Sequence, residues 1–335
     1  MMRTKPPFRA DHVGSILRTA PLKEARENFY AGKISAQQLT DVEDAEIRKI
    51  VRKQEEVGLE AITDGEFRRS WWHMDFLDGL DGVEVVEADQ GIQFTGVTTK
   101  AKSPRVMGKL GSKRHPHIDH FRFLNAITTK TAKQSIPSPS MLHYRGGRKS
   151  INMGVYPTME EFYHDLGQAY KQAITGFYEA GCRYIQIDDG YQPWMGDWLD
   201  TGKAFGGGVQ EGLKQIRTKG FEPAIWVAPF VASEQSRLFR EHPDWFVQDD
   251  AGKPLRSDRV GFGGWRLGPW YALDGTHPGA QRFLEELFRT MRREWGCTYF
   301  KLDATYWGTL PGGHRHDPKA TRIEAYRRGM EAIRR

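Results

Sequence analysis

The stretch Cys182-Arg183-Tyr184-Ile185-Gln186-Ile187-Asp188-Asp189-Gly190 is an apolar run that ends in two adjacent carboxylates and a glycine. A short apolar run of this kind is typical of a buried strand in a parallel sheet. The two carboxylates follow the strand at its carboxyl end, where (β/α)-barrel enzymes place their functional groups. The stretch therefore predicts a central strand that leads into a site.

Six further short runs predict strands, and segments with helical patterning separate most of them. The seven predicted strands are at 8–15, 59–63, 105–110, 133–136, 182–188, 223–228 and 298–302. The predicted helices are at 20–31, 36–57, 157–180, 206–219, 233–241, 278–295 and 318–335, and the alternation at 82–98 indicates a hairpin. Strands that alternate with helices indicate a parallel sheet with right-handed crossovers. The predicted fold class is therefore α/β, a TIM-type (β/α) barrel with seven clear strands and no eighth.

Composition favours a globular enzyme. The chain has 335 residues, 39% of them hydrophobic, and a net charge of +6 that is spread along the predicted helices. We therefore expect no nucleic-acid partner. Two cysteines, Cys182 and Cys297, are too few for a disulfide framework or a zinc cluster. Met1 to Pro7 lacks the apolar core of a signal peptide, and no apolar run reaches about 18 residues, so we expect a cytoplasmic protein with no membrane partner.

Carboxylates follow several of the predicted strands: Asp64, Glu66, Asp188, Asp189 and Asp303. Any one of them is explained equally well as a helix N-cap or a loop salt bridge. Together they predict a shared mouth, because converging carboxylates repel one another unless partners compensate them. Those partners are a substrate ammonium, sugar hydroxyls, a metal or local arginines.

From residue 8 to about 189, the sequence resembles the catalytic C-terminal barrel of cobalamin-independent methionine synthases. The stretches that carry the resemblance are 11–15 (Asp-His-Val-Gly-Ser), 62–72, 136–142 and 184–188. The resemblance implies that Ser15, Glu66 and Asp188 hold the amino acid portion of homocysteine. Carboxylates suit the ligand ammonium, and hydroxyl and backbone donors suit its carboxylate.

The sequence departs from that family at the metal. The family activates the homocysteine thiol on zinc, which is held by His-x-Cys on the sixth strand, a Glu on the seventh and a Cys near the eighth. Here the sixth strand reads Ala224-Ile225-Trp226-Val227-Ala228-Pro229, without those ligands. We therefore expect no cofactor and no metal, and weak or no methyl transfer, because an unactivated thiol is a poor nucleophile.

From about residue 187 to 335, the sequence instead resembles glycoside hydrolase family 36, the retaining α-galactosidases. The stretches that carry this resemblance are 188–192, 196–198, 225–230, 239–245, 271–274 and 299–303. The resemblance implies that Asp303 is the catalytic nucleophile. It implies that galactose is bound by Asp188, Asp189, Trp198 and Lys301. A retaining glycosidase also needs an acid/base carboxyl, and this chain ends before the strand that supplies it in the family.

The sequence is thus interpreted as a chimera of two barrel families that share one strand, with a join typical of a recombined or designed sequence. We expect a single barrel over 1–335, with a methionine synthase-like part at 1–189 and an α-galactosidase-like part at 190–335. Three hypotheses stay open: a methionine synthase-like barrel that keeps part of the homocysteine pocket, an α-galactosidase-like hydrolase, and a non-catalytic scaffold. The expected partner is a small molecule, either an amino acid with folate or a galactoside. An open seam would also favour a homo-oligomer.

Overall fold

The chain divides into two compact units. The computed structural model describes residues 8, 11–87, 93–94, 97–98, 102–143, 146–188, 191–201, 208–261 and 269–335. The first unit comprises the described residues of 1–91 and 100–189, and the second comprises those of 92–99 and 190–335. A single closed barrel over the whole chain stays a prediction, whereas the α/β class is confirmed by the elements of both units.

The described residues form nine α-helices and eleven strands. The helices are α1 (Ala20–Tyr30), α2 (Ala36–Glu56), α3 (Met74–Asp78), α4 (Pro116–Ile127), α5 (Met159–Glu179), α6 (Val209–Thr218), α7 (Arg237–Glu241), α8 (Pro278–Arg293) and α9 (Arg322–Arg334). The strands are β1 (Ala61–Ile62), β2 (Asp81–Glu87), β3 (Gln93–Phe94), β4 (Val97–Thr98), β5 (Lys102–Gly111), β6 (Thr131–Pro137), β7 (Tyr184–Asp188), β8 (Ala224–Val227), β9 (Val231–Ser233), β10 (Trp270–Ala272) and β11 (Tyr299–Leu302). Among these helices, none has both the length and the apolar composition needed to cross a membrane.

A three-stranded parallel sheet organises the first unit, in the order β1-β6-β7. Ile62 lies opposite Ala132, and Lys133 lies opposite Tyr184. Parallel strands place their carboxyl ends at one edge of the sheet. The turn after β1 and the last residues of β6 and β7 therefore meet at the same edge, which is where the candidate site of this unit lies.

Helix α5 connects β6 to β7 and packs against β5. Its N-cap residue Thr158 accepts a hydrogen bond from the Glu161 amide at 3.3 Å, which satisfies one of the free amides of the first turn. Residues spaced three or four apart form its buried face: Phe162, Leu166, Ala169, Tyr170, Ala173 and Phe177. This face belongs to the apolar core of the first unit.

The described residues of the second unit form three two-stranded sheets, one of which pairs β3 with β4 antiparallel. Strands β8 and β11 pair in parallel, with Trp226 opposite Lys301 and Val227 opposite Leu302. Strands β9 and β10 pair antiparallel. Helix α8 precedes β11. One face of the helix, which includes Leu284 and Met291, is buried in the apolar core of the second unit.

Three predictions about the first unit were wrong. The described residues of 8–15 form no strand, because side chains rather than a sheet ladder hold this segment. The run at 105–110 belongs to β5, which pairs antiparallel with β2 and not with the parallel sheet. The first strand of the predicted hairpin at 82–98 is β2, and it pairs with β5 and not with the second half of that hairpin. Alternation shows which face a strand buries but not which strand it joins.

Replacement of Phe162 by alanine should destabilise the protein strongly. Phe162 is fully buried on α5, whereas its neighbour Tyr163 is 51% exposed. We expect Phe162→Ala to lower the free energy of unfolding by about 3–5 kcal/mol, because it leaves a cavity in the core. Tyr163→Ala is the matched control, and it should cost less than about 1 kcal/mol. Urea unfolding followed by circular dichroism measures both, and equal losses would contradict the assigned core face.

Candidate functional site

The turn after β1 places Glu66 at the carboxyl edge of the sheet. Glu66 adopts a left-handed backbone conformation with φ of 59°, which is uncommon for a residue with a side chain. The Asp64 carboxylate supports the turn, since its Oδ1 accepts a hydrogen bond from the Glu66 amide at 2.9 Å. Such conformations are concentrated at functional sites.

The Glu66 carboxylate is buried and has three donors around it. The residue is 3% exposed. Ser15 Oγ donates to Oε2, and Ser135 Oγ donates to Oε1 at 3.2 Å. Arg69 Nη1 lies 3.5 Å from Oε1 and forms a buried ion pair with it. Ser15 itself is exposed, so it covers the carboxylate from the solvent side.

Sequence reasoning missed Arg69 and Ser135. Arg69 is 3% exposed. Its Nη2 donates to the Ser135 carbonyl oxygen at 2.9 Å, and its Nη1 to the Trp72 carbonyl oxygen at 3.2 Å. The arginine thus joins the β1 turn to β6 and compensates the Glu66 charge. The sequence did offer a signal for Arg69, because it follows Glu66 by three residues and local arginines were among the expected partners of the carboxylates.

A second buried ion pair lies on the same strand as Ser135. Lys133 Nζ is 3.1 Å from Asp11 Oδ2 and donates to the His12 carbonyl oxygen at 3.0 Å. Tyr184 donates its hydroxyl proton to Asp11 Oδ2 at 2.5 Å. These contacts fix the segment that leads to Ser15 onto β6 and β7.

The structure thus brings Ser15 and Glu66 together, as the resemblance implied. Asp188 is the last residue of β7, and its backbone lies opposite Pro137. The Asp188 side chain and the whole of Asp189 lie outside the described residues. Their predicted roles therefore stay predictions.

A histidine cluster lies next to Arg69. His115 caps α4, and its Nδ1 accepts from the His117 amide at 3.2 Å while its Nε2 lies 2.9 Å from the Phe76 carbonyl oxygen. Burial, with a smaller contribution from Arg69, lowers the pKa of His115 to about 4. Burial likewise lowers the pKa of His117, and it lowers that of His120 to about 4. All three rings are therefore neutral at pH 7.

In the second unit, the paired strands β8 and β11 bring three predicted residues together. Trp226 Nε1 donates to Asp303 Oδ2 at 2.8 Å, and Lys301 Nζ lies 3.9 Å from the same oxygen. Trp198 is buried and packs edge-on against Trp226, with ring centroids 5.6 Å apart. The Asp303 side chain is 40% exposed, so a ligand has access to it.

The backbone fixes the orientation of Asp303. Its amide donates to the Val227 carbonyl oxygen at 2.9 Å, and the following amide, of Ala304, donates to Asp303 Oδ1 at 2.7 Å. Ala304 has φ of 48°, so a left-handed residue follows this strand-end carboxylate directly. Trp226 lies in one of the stretches that carry the resemblance to α-galactosidases, and its bond to Asp303 became visible only with the strand register.

The residues present do not fit the zinc site of the methionine synthase family. Within the described residues, no group of three or more His, Cys, Asp or Glu side chains could hold a metal ion. Burial raises the pKa of Cys182 to about 11 and that of Cys297 to about 12, so both thiols are protonated and are poor metal ligands. The described residues therefore give no support for zinc chemistry in this chain.

The parallel β1-β6-β7 sheet and its strand-end carboxylate define an α/β protein of the kind found in TIM-barrel enzymes. The family model for the cobalamin-independent synthase catalytic domain matches residues 8–199. The chain belongs to this family. The melibiase family model matches residues 172–330, so the second part of the chain resembles α-galactosidases. Both resemblances drawn from the sequence are therefore confirmed.

Individual relatives are of both kinds. The uncharacterized protein YxjH of Bacillus subtilis is 50% identical over 225 residues, which are 66% of this chain and 58% of the relative. A Listeria monocytogenes structure, named as a candidate vitamin-B12 independent methionine synthase, is 40% identical, covers 67% of this chain and 66% of its own, and has a TM-score of 0.50. The A type blood alpha-D-galactosamine galactosaminidase of Flavonifractor plautii is 29% identical over 165 residues, 46% of this chain and 15% of the relative. The chain spans about three fifths of the length of YxjH and of a second Bacillus subtilis protein that it matches.

Acid should destabilise the first unit through its histidine cluster. A histidine whose pKa is lower in the folded state than in the unfolded state reduces the stability of the protein in acid. The loss grows as the pH falls from the unfolded-state pKa, near 6.5, towards the folded-state pKa. For His115 the expected loss is on the order of 3 kcal/mol at pH 4. His117→Leu removes one of the titrating groups and should flatten the decrease between pH 6.5 and 4.

Urea unfolding at a series of pH values measures this decrease. His164→Gln is the control, because His164 is exposed on α5 and its replacement should leave the pH profile unchanged. A profile of His117→Leu that follows the wild type over the whole range would contradict the assignment.

Proposed function

We propose that the first unit is an amino-acid-binding site of the methionine synthase type, with weak or no methyl transfer. The observation that supports it is the hydrogen bond of Ser15 to Glu66. The family resemblance assigns both residues to the amino acid portion of homocysteine. Asp188, at the end of the adjacent strand β7, is the third residue of the proposed pocket.

The chemistry of Glu66 suits an ammonium ligand. An ionised carboxylate offers about four acceptor positions. Ser15, Ser135 and Arg69 occupy three of them, which leaves capacity for one more donor. A ligand ammonium in a buried position would form a charge-assisted hydrogen bond, roughly twice as strong as a neutral one. The Ser15 hydroxyl lies beside this position, and because its single proton goes to Glu66, its oxygen can accept a further hydrogen bond from the ligand ammonium.

The weak step of the proposed function is activation of the thiol. A free thiol has a pKa of about 8.5 and is mostly protonated at pH 7, whereas a zinc-bound thiol is deprotonated. Trp226 stands on the strand where the family has its His-x-Cys ligands, and its indole N–H donates to Asp303. An indole offers no lone pair to a metal. We therefore expect binding of the amino acid without efficient transfer of a methyl group.

Calorimetry with L-homocysteine and L-methionine tests the proposed pocket. We expect both to bind the wild-type chain, and Glu66→Gln to weaken binding by at least about tenfold, because a hydrogen bond to a charged group contributes about 1.5–3 kcal/mol. Glu60→Gln is the matched control, since Glu60 forms an exposed ion pair with Lys130 at the start of β1. Equal affinity in the wild type and Glu66→Gln would refute the pocket.

The same protein preparation tests the chemical step. Metal analysis should find less than stoichiometric zinc, and methyl transfer from 5-methyltetrahydrofolate to homocysteine should stay near background with or without added zinc. Tightly bound, stoichiometric zinc together with turnover would overturn the part of the proposal that concerns activity and would leave the binding part standing.

A galactoside site in the second unit is the second candidate. The contacts of Asp303 with Trp226 and Lys301 favour it, because they orient the carboxylate that the resemblance assigns as nucleophile. Retaining hydrolysis needs a second carboxyl about 5–5.5 Å away as acid/base. The resemblance assigns no residue of this chain to that role, so we expect slow turnover confined to substrates with an activated leaving group.

A nitrophenyl α-galactoside tests the second candidate, because its leaving group needs little acid assistance. We expect slow release of nitrophenol that Asp303→Asn abolishes, and labelling of Asp303 by a mechanism-based galactoside reagent. Asp250→Asn is the matched control, since Asp250 is 99% exposed in the same unit. Release that survives in Asp303→Asn would exclude Asp303 as the nucleophile. Absence of binding to both amino acids and galactosides would favour the scaffold hypothesis.

A further inference from the structure

We infer that Lys133 is a positioning residue for the amino-acid site and acts through Asp11 on the segment that carries Ser15. The inference rests on the proposed function for the identity of the ligand. Its structural part, the placement of Ser15, can be measured without any ligand.

Lys133 and Asp11 form a buried charged pair. The Lys133 side chain is 2% exposed and that of Asp11 is 1% exposed, with 3.1 Å between Nζ and Oδ2. The lysine also donates to the His12 carbonyl oxygen at 3.0 Å. A buried pair adds little net stability over apolar residues of similar volume, but removal of one partner leaves an uncompensated charge. The Lys133–Asp11 pair therefore contributes to the placement of the 11–15 segment more than to the net stability of the protein.

The segment that follows Asp11 leads to Ser15. The described residues of 11–19 form neither helix nor strand, so individual contacts determine their position. The chain turns at Gly14, where φ is +83°. Beyond the turn, the Ile16 amide donates to the Gly65 carbonyl oxygen at 3.1 Å, next to Glu66. Lys133 therefore anchors one side of the turn and Gly65 the other, with Ser15 between them.

The contacts of Lys133 indicate a positioning role and not a catalytic one. Lys133 and Ser135 are two residues apart on β6, so their side chains lie on the same face of the strand, roughly 6–7 Å apart along it. Ser135 contacts Glu66, whereas Lys133 Nζ contacts Asp11, the His12 carbonyl oxygen and the Tyr184 ring. The lysine thus influences the site through the 11–15 segment.

The experiment compares Lys133→Met with Lys130→Met in the full chain. Lys130 directly precedes β6 and forms an exposed ion pair with Glu60, which makes it the matched control. Hydrogen exchange of the Ile16 amide reports the placement of Ser15, and calorimetry with L-methionine reports binding. We expect Lys133→Met to accelerate Ile16 exchange and to weaken binding, each by about tenfold or more, which corresponds to about 1.4 kcal/mol. Amides within α5 should keep their exchange rates, and Lys130→Met should change neither measurement.

A double variant provides the rescue. Asp11→Asn together with Lys133→Gln removes both charges but keeps a donor for the His12 carbonyl and an acceptor for Tyr184, so it should restore most of the Ile16 protection and affinity. Should Lys133→Met fail to fold, Asp11→Asn alone, which leaves the lysine charge uncompensated, takes its place. Ile16 exchange within twofold of the wild type in the folded single variant overturns the inference. Absence of L-methionine binding by the wild type instead refutes the proposed function, and Ile16 exchange then decides the positioning role alone.

Discussion

The burial of the Glu66 carboxylate is the constraint around which the first unit is arranged. An ionised carboxylate removed from water is costly unless charge and hydrogen bonds replace its hydration. Arg69 supplies the charge, and Ser15 and Ser135 supply hydroxyl donors. These groups come from three separate parts of the chain, so the carboxylate can be compensated only when the β1 turn, β6 and the N-terminal segment are all in place.

The same constraint explains why the N-terminal segment is ordered without secondary structure. A strand would have satisfied its backbone through a ladder, but here Lys133 binds the His12 carbonyl and Asp11 binds Lys133 and Tyr184. Buried polar contacts of this kind are specific in geometry, because a shifted partner leaves a charge unpaired. The segment is therefore held by a few directional contacts and not by a regular element.

Prediction from the sequence succeeded where a rule of chain geometry applies. Carboxylates could be placed after the strands that became β1 and β11 before any coordinates, whereas the roles of Glu66 and Asp303 as site residues stay predictions. The capping box of Ser35 and Gln38 at the start of α2 is likewise a local feature, in which Ser35 N donates to Gln38 Oε1 at 2.8 Å. Propensity and local pattern decide such features within a few residues.

The partners of those carboxylates could not be predicted, because they depend on register between distant segments. Ser135 meets Glu66 across 69 residues of sequence, and Lys133 meets Asp11 across 122. The same limit led to the wrong partner for β2, since alternation gives the buried face and not the neighbour.

Trp226 illustrates how one residue bears on both candidate functions. On β8, where the resemblance to methionine synthases implied His-x-Cys zinc ligands, the chain has an indole that donates to Asp303. A hydrogen-bond donor orients a carboxylate but cannot coordinate a metal, so this residue supports the glycosidase-like contact and opposes the metal-dependent one. Each chemistry requires its groups to be positioned together, and the contribution of one group falls sharply when its partners are absent. Family membership, which follows from the match over residues 8–199, therefore does not by itself establish an activity. The first unit has a compensated carboxylate after β1, and the binding of an ammonium that we propose for it would need no metal.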